Sequence, residues 1–212
     1  MAQCEFSGAG SQRPAPTGCR APARGLLLIA ASAIAIALLA LPALAQSGAG
    51  NVNREYPIKA AYLYNFAAYV EWPAESFADA KDRFVIGILG PAPLDSLLDE
   101  IAATKKIAGR AIAVKHYAKA QHVSGCRMLF VSSGLSERER TEAIRILTGS
   151  SVLIVGETTG MADHGGAINF YIADNKVRFE INPEAARQKN LKISSKLLGL
   201  AKIVNVQQAG SK

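Results

Sequence analysis

Met128 to Gly156 reads MLFVSSGLSERERTEAIRILTGSSVLIVG, and the order of patterns inside it decides the fold. Met128–Val131 and Ser151–Val155 are short, apolar and bounded by serine and glycine, which marks strands covered on both faces. Between them Ser136 and Glu139 form a capping box, and Gly149 ends the helix they open. The charged run ERER on that helix reads as a solvated face. Strand, helix and strand in this order belong to an α/β sheet.

The alternation extends upstream. Phe84–Leu89 (FVIGIL) is another buried strand, Leu94, Leu97, Leu98 and Ile101 recur at helical spacing, and Ile112 and Val114 alternate in AIAVKHY as in a strand. Downstream, Gly156 to Gly166 (GETTGMADHGG) is a glycine-rich loop, and a hairpin follows it. Ile168, Phe170 and Ile172 alternate before Asp174-Asn175, and Val177, Phe179 and Ile181 alternate after. Asn182-Pro183 opens a short helix that Asn190 ends, and Ser194 or Ser195 starts a last helix carrying Leu197, Leu200, Ala201 and Val204 on one stripe. The expected architecture is α/β, a sheet with helices on both faces and a C-terminal antiparallel hairpin at its edge or end.

The first helix is the least ordinary element. YPIKAAYLYNFAAYVEWP, Tyr56 to Pro73, lies between two prolines, with Pro57 at the first helical position. Lys59, Asn65 and Glu71 are spaced six apart, and at about 100° per residue they point in three directions. No polar face results. Ile58, Tyr62, Phe66 and Val70 make the expected core stripe, which leaves the side bearing Leu63, Tyr64 and Ala67 to meet either the core or a second subunit.

Residues 1–45 read as an address. Arg13, Arg20 and Arg24 precede the apolar run Gly25–Leu41, and Ala43-Leu44-Ala45 gives a small-residue cleavage site, the order of a secretory signal peptide. The alternative is an uncleaved anchor, since the run approaches the length of a membrane span. Residues 46–55 read as a flexible arm, 56–205 as one domain and 206–212 as a disordered tail. The leader holds a net of two positive charges out of +7, so the remainder is mildly basic without a concentrated patch, which argues against a nucleic-acid partner. Of three cysteines only Cys126 follows the leader, so the domain is stable by packing and not by an internal disulfide. Cys126 opens an apolar run, as a buried thiol does; a redox-sensitive thiol is the sharper reading.

No catalytic set assembles. His116, His122 and His164 lack metal-ligand spacing, no G-x-S-x-G elbow is present, and Gly87-Ile88-Leu89-Gly90-Pro91 lacks the spacing of a dinucleotide fingerprint. Neither a metal nor a cofactor is expected. The loop at the strand end offers Glu157, Thr158 and Thr159 to a ligand, because ligands of open α/β sheets bind beyond the carboxyl ends of strands. Arg187, Lys189, Lys192 and Lys196 read as a solvated basic face, with attraction to anionic lipid heads as the alternative.

Three segments together resemble the YfiR-like periplasmic proteins: KAAYLYNFAAYVEWP (Lys59–Pro73), GMADHGGAINFYIADNKVRFEIN (Gly160–Asn182) and LKISSKLLGLAKIV (Leu191–Val204). The resemblance covers nearly all of Tyr56 to Val204. It implies a Rossmann-like, exported, non-catalytic domain that forms a homodimer and binds the periplasmic sensor domain of an inner-membrane diguanylate cyclase, restraining cyclic di-GMP synthesis. It further implies a partner surface around the Gly-Gly loop, with Met161, Asp163, His164 and Ile168 supplying contacts. Two departures stand out: Cys126 has no partner for the disulfide some members carry, and Met161 stands where phenylalanine is usual. A periplasmic small-molecule binding protein serving a transporter or sensor kinase is the competing expectation.

Overall fold

The computed structural model describes residues 52–79 and 81–204. The expected signal peptide, the arm up to Asn51 and the tail at 206–212 lie outside the described residues. The chain runs α1 (Val52–Tyr69), β1 (Val70–Glu71), β2 (Phe84–Leu89), α2 (Asp95–Thr104), β3 (Lys106–Ile107), β4 (Arg110–Tyr117) and β5 (Met128–Val131). There follow α3 (Glu137–Ile146), β6 (Leu153–Gly156), β7 (Ile168–Ala173), β8 (Lys176–Ile181), α4 (Pro183–Arg187), β9 (Lys192–Ile193), α5 (Ser195–Leu198) and β10 (Lys202–Ile203).

Eight strands form one mixed sheet in the order β10-β8-β7-β6-β5-β2-β4-β3. The run β7-β6-β5-β2-β4 is parallel, and the hairpin adds β8 antiparallel to β7. Because Ile168 pairs with Val155, near the end of β6, the hairpin extends well beyond the carboxyl edge of the parallel strands. A separate ribbon joins β1 to β9, Val70 opposite Ile193.

Alternation along the strands feeds two cores. Phe84, Ile86, Ile88, Met128, Phe130, Leu153 and Val155 point to the face covered by α1 and α2, while Leu129, Val131 and Ile154 point to the face covered by α3. Burial on both sides is why these strands carry no polar alternation. The α3 capping box is present in both directions: Ser136 N–H donates to Glu139 Oε2 at 2.9 Å, and Glu139 N–H donates to Ser136 Oγ at 3.3 Å. At the hairpin tip Asp174 and Asn175 hold φ of 51° and 60°, the left-handed pair that a two-residue turn requires. Asn182 Oδ1 accepts from Ala185 N–H at 3.0 Å ahead of Pro183, and Asn190 takes φ 56° past α4.

Three expectations are corrected. Helix α1 begins at Val52, so the last residues assigned to the arm are helical and Pro57 lies inside the helix. The last helix is a single turn, after which the chain becomes β10; Leu200, expected in its buried stripe, is 76% exposed. The buried stripe of α1 runs through Lys59, Ala60, Leu63, Phe66, Ala67 and Val70; it keeps Phe66 and Val70 of the expected stripe, has Tyr62 at its border and leaves out Ile58. Ile58 is 41% exposed and Leu63 is 0% exposed inside the domain, with Tyr64 half-buried beside the core. Tyr62 and Phe66 pack against Phe170 and Phe179 of the hairpin, ring centroids 5.0–6.0 Å apart, with Phe66 stacked on Phe170 and edge-on to Phe179. The stripe widens toward Leu63 because Lys59, one of the three polar residues spread round the axis, is enclosed.

The observed stripe makes a direct test. Leu63→Ala is expected to cost about 2–5 kcal/mol in urea denaturation, whereas Ile58→Ala is expected to stay within about 0.5 kcal/mol of the parent.

Candidate functional site

The enclosed Lys59 organises the carboxyl edge of the sheet. Its Nζ lies 2.5 Å from Glu157 Oε2 and 2.5 Å from a carboxylate oxygen of Glu55, one turn earlier in α1. The Lys59 and Glu157 side chains are 5% and 2% exposed. Glu157 follows β6 directly, and its other oxygen accepts from both the N–H and Oγ–H of Ser133, at 2.9 Å each, just past β5. One carboxylate thus ties α1, β5 and β6 together. The Lys59 ammonium also lies 4.9 Å from the Tyr56 ring centroid and 5.9 Å from that of Phe170. Burial alone pushes the Lys59 pKa down, but hydrogen bonds to Glu157 and Glu55 more than offset this and leave it raised. Lys59 is therefore held as an ammonium, unsuited to act as a base or nucleophile.

The expected ligand loop is already occupied from within. Glu157 is spent on Lys59 and Ser133. Thr158 Oγ1 is buried without a hydrogen-bond partner, and Thr159 is exposed; both line a depression of about 240 Å³ against α3. Between them and Gly166 the backbone folds into successive turns, with Met161 N–H donating to Thr158 O, His164 N–H to Gly160 O and Gly166 N–H to Met161 O. Asn182 Nδ2 donates to Ala162 O at 2.8 Å and fastens the loop to the end of β8.

This folding divides the four expected contact residues. Asp163 and His164 are exposed at the loop's outer turn. Met161 and Ile168 are not available as surface anchors: Met161 is buried beneath Gly156 and Gly166 in the α3-side core, and Ile168 begins β7 between β6 and β8. A side chain at Gly166 would meet Met161 O at 2.8 Å, so the glycine pair lets the loop close over its own methionine.

The crevice where the sheet reverses its winding, between β2 and β5, is also filled. A Cβ on Gly90 would lie 2.7 Å from Leu135, and one on Gly134 would lie 2.8 Å from Pro91. Ser132 Oγ donates to Pro91 O and closes the gap between the two loops. The gap between the loops after β2 and β5 is thus packed with the domain's own side chains, while a cleft of about 360 Å³ opens beside it along Leu89, Leu135 and Glu139.

Elsewhere, Cys126 is 2% exposed and packs in the α3-side core, where burial pushes its thiol up to about 11, an environment unlike that of a reactive thiol. Lys189 leaves the expected solvated face; it is buried, and its Nζ donates to Leu147 O at 2.7 Å. Exposed His116 lies 3.4 Å from exposed Asp95, a proximity created by β4 and the start of α2. Sequence reasoning missed the roles of Lys59, Ser133 and Lys189. Only Lys59 left a trace, as a cation inside an otherwise apolar helix.

The carboxyl end of this mixed α/β sheet thus combines a tied-down loop with exposed polar residues at the loop's tip. The chain belongs to the YfiR/HmsC-like family, whose profile matches residues 56–202. Among curated proteins none matches it. Among solved structures it is similar to the ABC domain in complex with L-Trp from Streptococcus pneumonia, at 14% identity and a TM-score of 0.43, covering 57% of this chain and 55% of that one. The chain thus spans about half the length of that domain. No helix among the described residues is long and apolar enough to cross a membrane.

Breaking the buried pair tests its place in the fold. Lys59→Met is expected to cost about 3–5 kcal/mol by leaving the Glu157 carboxylate enclosed without a cation. Lys59→Met combined with Glu157→Met should lose less than the sum of the two single changes. Because the folded pKa of Lys59 is raised, its contribution is complete below the unfolded value of about 10.4 and is lost as pH climbs through the folded value. Denaturation series from neutral to alkaline pH should show the parent losing this increment and Lys59→Met lacking it.

Proposed function

We propose that the protein is a periplasmic regulator that binds the sensor domain of an inner-membrane diguanylate cyclase and lowers cyclic di-GMP output. The observation that carries this reading is the family match across residues 56–202. The structure supports it in one specific way: the exposed pair Asp163 and His164 sits on a loop fastened at its start through Glu157 and, just before the pair, through Asn182 to Ala162 O. A surface ordered before contact loses less entropy on binding than a loop that must be fixed by its partner.

In this reading the partner meets the charged tip of the loop, while buried Met161 and Ile168 hold its shape from beneath. Restraint follows if the inactive arrangement of the sensor domain is bound more tightly than the active one, since only differential affinity shifts an equilibrium. The homodimer implied by the resemblance belongs to the same reading and would use faces other than Leu63. Delivery to the periplasm rests on the leader described above.

Two measurements test this. Removing the gene from a strain that retains the cognate cyclase should raise cyclic di-GMP, and an unchanged level there would overturn the reading. With purified proteins, Asp163→Ala combined with His164→Ala should weaken sensor-domain binding about tenfold, equivalent to about 1.4 kcal/mol, and leave the melting temperature of the regulator unchanged.

A further inference from the structure

At the opposite edge of the sheet, by the amino-terminal ends of β5 and β6, a cleft of about 450 Å³ opens between the turn at Ala74–Ser76, the segment before β5 and the segment before β6. Arg127 is the one cation on its lining. The guanidinium lies 5.0 Å from the Phe77 ring centroid, and Arg110 lies 3.9 Å from the same ring. Arg110 is engaged, donating to Asp79 O at 2.7 Å and to Asp82 O at 3.1 Å. Arg127 is not: its Nη1 has only a long 3.4 Å contact to Cys126 O, and its Nε is shielded from solvent with no hydrogen-bond partner. Among the described residues neither arginine has a carboxylate within ion-pair distance.

A second buried polar atom on the same lining, Ser76 Oγ, also has no partner. Leaving such groups enclosed and unbonded is costly, most of all for a charged donor. The hydroxyls of Ser124 and Ser151 add polar groups, while Pro73, Val123 and Val152 give the cleft apolar walls. Behind Leu147, another lining residue, the buried Lys189 ammonium holds the carbonyl end of α3, again without a carboxylate partner among the described residues. One carboxylate, that of exposed Glu75, reaches the lining.

We propose that this cleft binds a small organic anion whose oxyanion head is taken by Arg127 and Ser76 and whose apolar body lies against Val123 and Val152. The planar fork of a guanidinium suits carboxylate and phosphate alike, and the apolar walls select against a bare inorganic ion. The proposal stands apart from the partner surface at the other edge of the sheet and does not depend on it.

Trp72, the sole tryptophan of the chain, reports on the site, because its indole N–H donates to Arg127 O at 3.1 Å. The purified protein is titrated with benzoate, phenyl phosphate and inorganic phosphate while Trp72 fluorescence is followed. A saturable response is expected with benzoate or phenyl phosphate, the tighter of the two identifying the head group, and inorganic phosphate should bind about tenfold more weakly or not at all. Arg127→Gln should abolish the response. Arg127→Lys, which keeps the charge and loses the fork, should weaken it about tenfold. Ser76→Ala should weaken binding while maintaining or raising the melting temperature of the ligand-free protein, since it deletes an unsatisfied hydroxyl. Arg187→Gln, at an exposed arginine already paired with Glu184, should change nothing. The proposal is overturned by no saturable response to any of the three anions, or by binding that survives intact in folded Arg127→Lys and Ser76→Ala.

Discussion

The ion pair between Lys59 and Glu157 is the constraint around which the rest of the domain is arranged. Two charges so enclosed cost several kcal/mol each to desolvate, and their attraction offsets this only with close geometry and full hydrogen bonding. Glu157 meets that condition by accepting twice from Ser133 with one oxygen while the other faces Lys59. The consequence is positional. Helix α1, the ends of β5 and β6, and the start of the loop that leads to β7 cannot move independently. The aromatic contacts of Tyr62 and Phe66 with Phe170 and Phe179 then fix α1 against the hairpin.

What could be read from the sequence follows from the range of the interactions involved. The α3 capping box, the turn at Asp174-Asn175 and the Asn182-Pro183 start are local, each satisfied within a few residues, and local chemistry is written in adjacent letters. The buried strands were legible for a related reason: two covered faces leave an uninterrupted apolar run. Lys59 and Lys189 were not: the Glu55–Lys59 spacing is that of any exposed helical pair, and the contacts that enclose the two cations, to Glu157 and Leu147, lie 98 and 42 residues away. On α1, Phe66 and Val70 are buried as expected, while Ile58 is exposed and Leu63, one turn after enclosed Lys59, is buried.

The position of the glycine-rich loop was legible, and the packing of its residues was not. The glycine-rich loop does lie at the carboxyl end of β6, yet its glycines serve closure over Met161 and not the approach of a ligand backbone. Apolar residues in a loop are ambiguous in this way: composition cannot tell an anchor offered to a partner from a plug holding the loop down. Asp163 and His164 are exposed, for the ordinary reason that polar side chains stay in water.

The small ribbon between β1 and β9 has a kinetic consequence. Val70 pairs with Ile193 and Ser194 N–H donates to Tyr69 O, so the end of the first helix is closed by residues near the end of the domain. Such a contact spans most of the chain, and loop-closure entropy must be met before it stabilises anything. That closure at the end of α1 therefore needs almost the whole polypeptide to be available. For a chain that is to cross a membrane before folding, as proposed above, this delay favours a translocation-competent state over a prematurely sealed one.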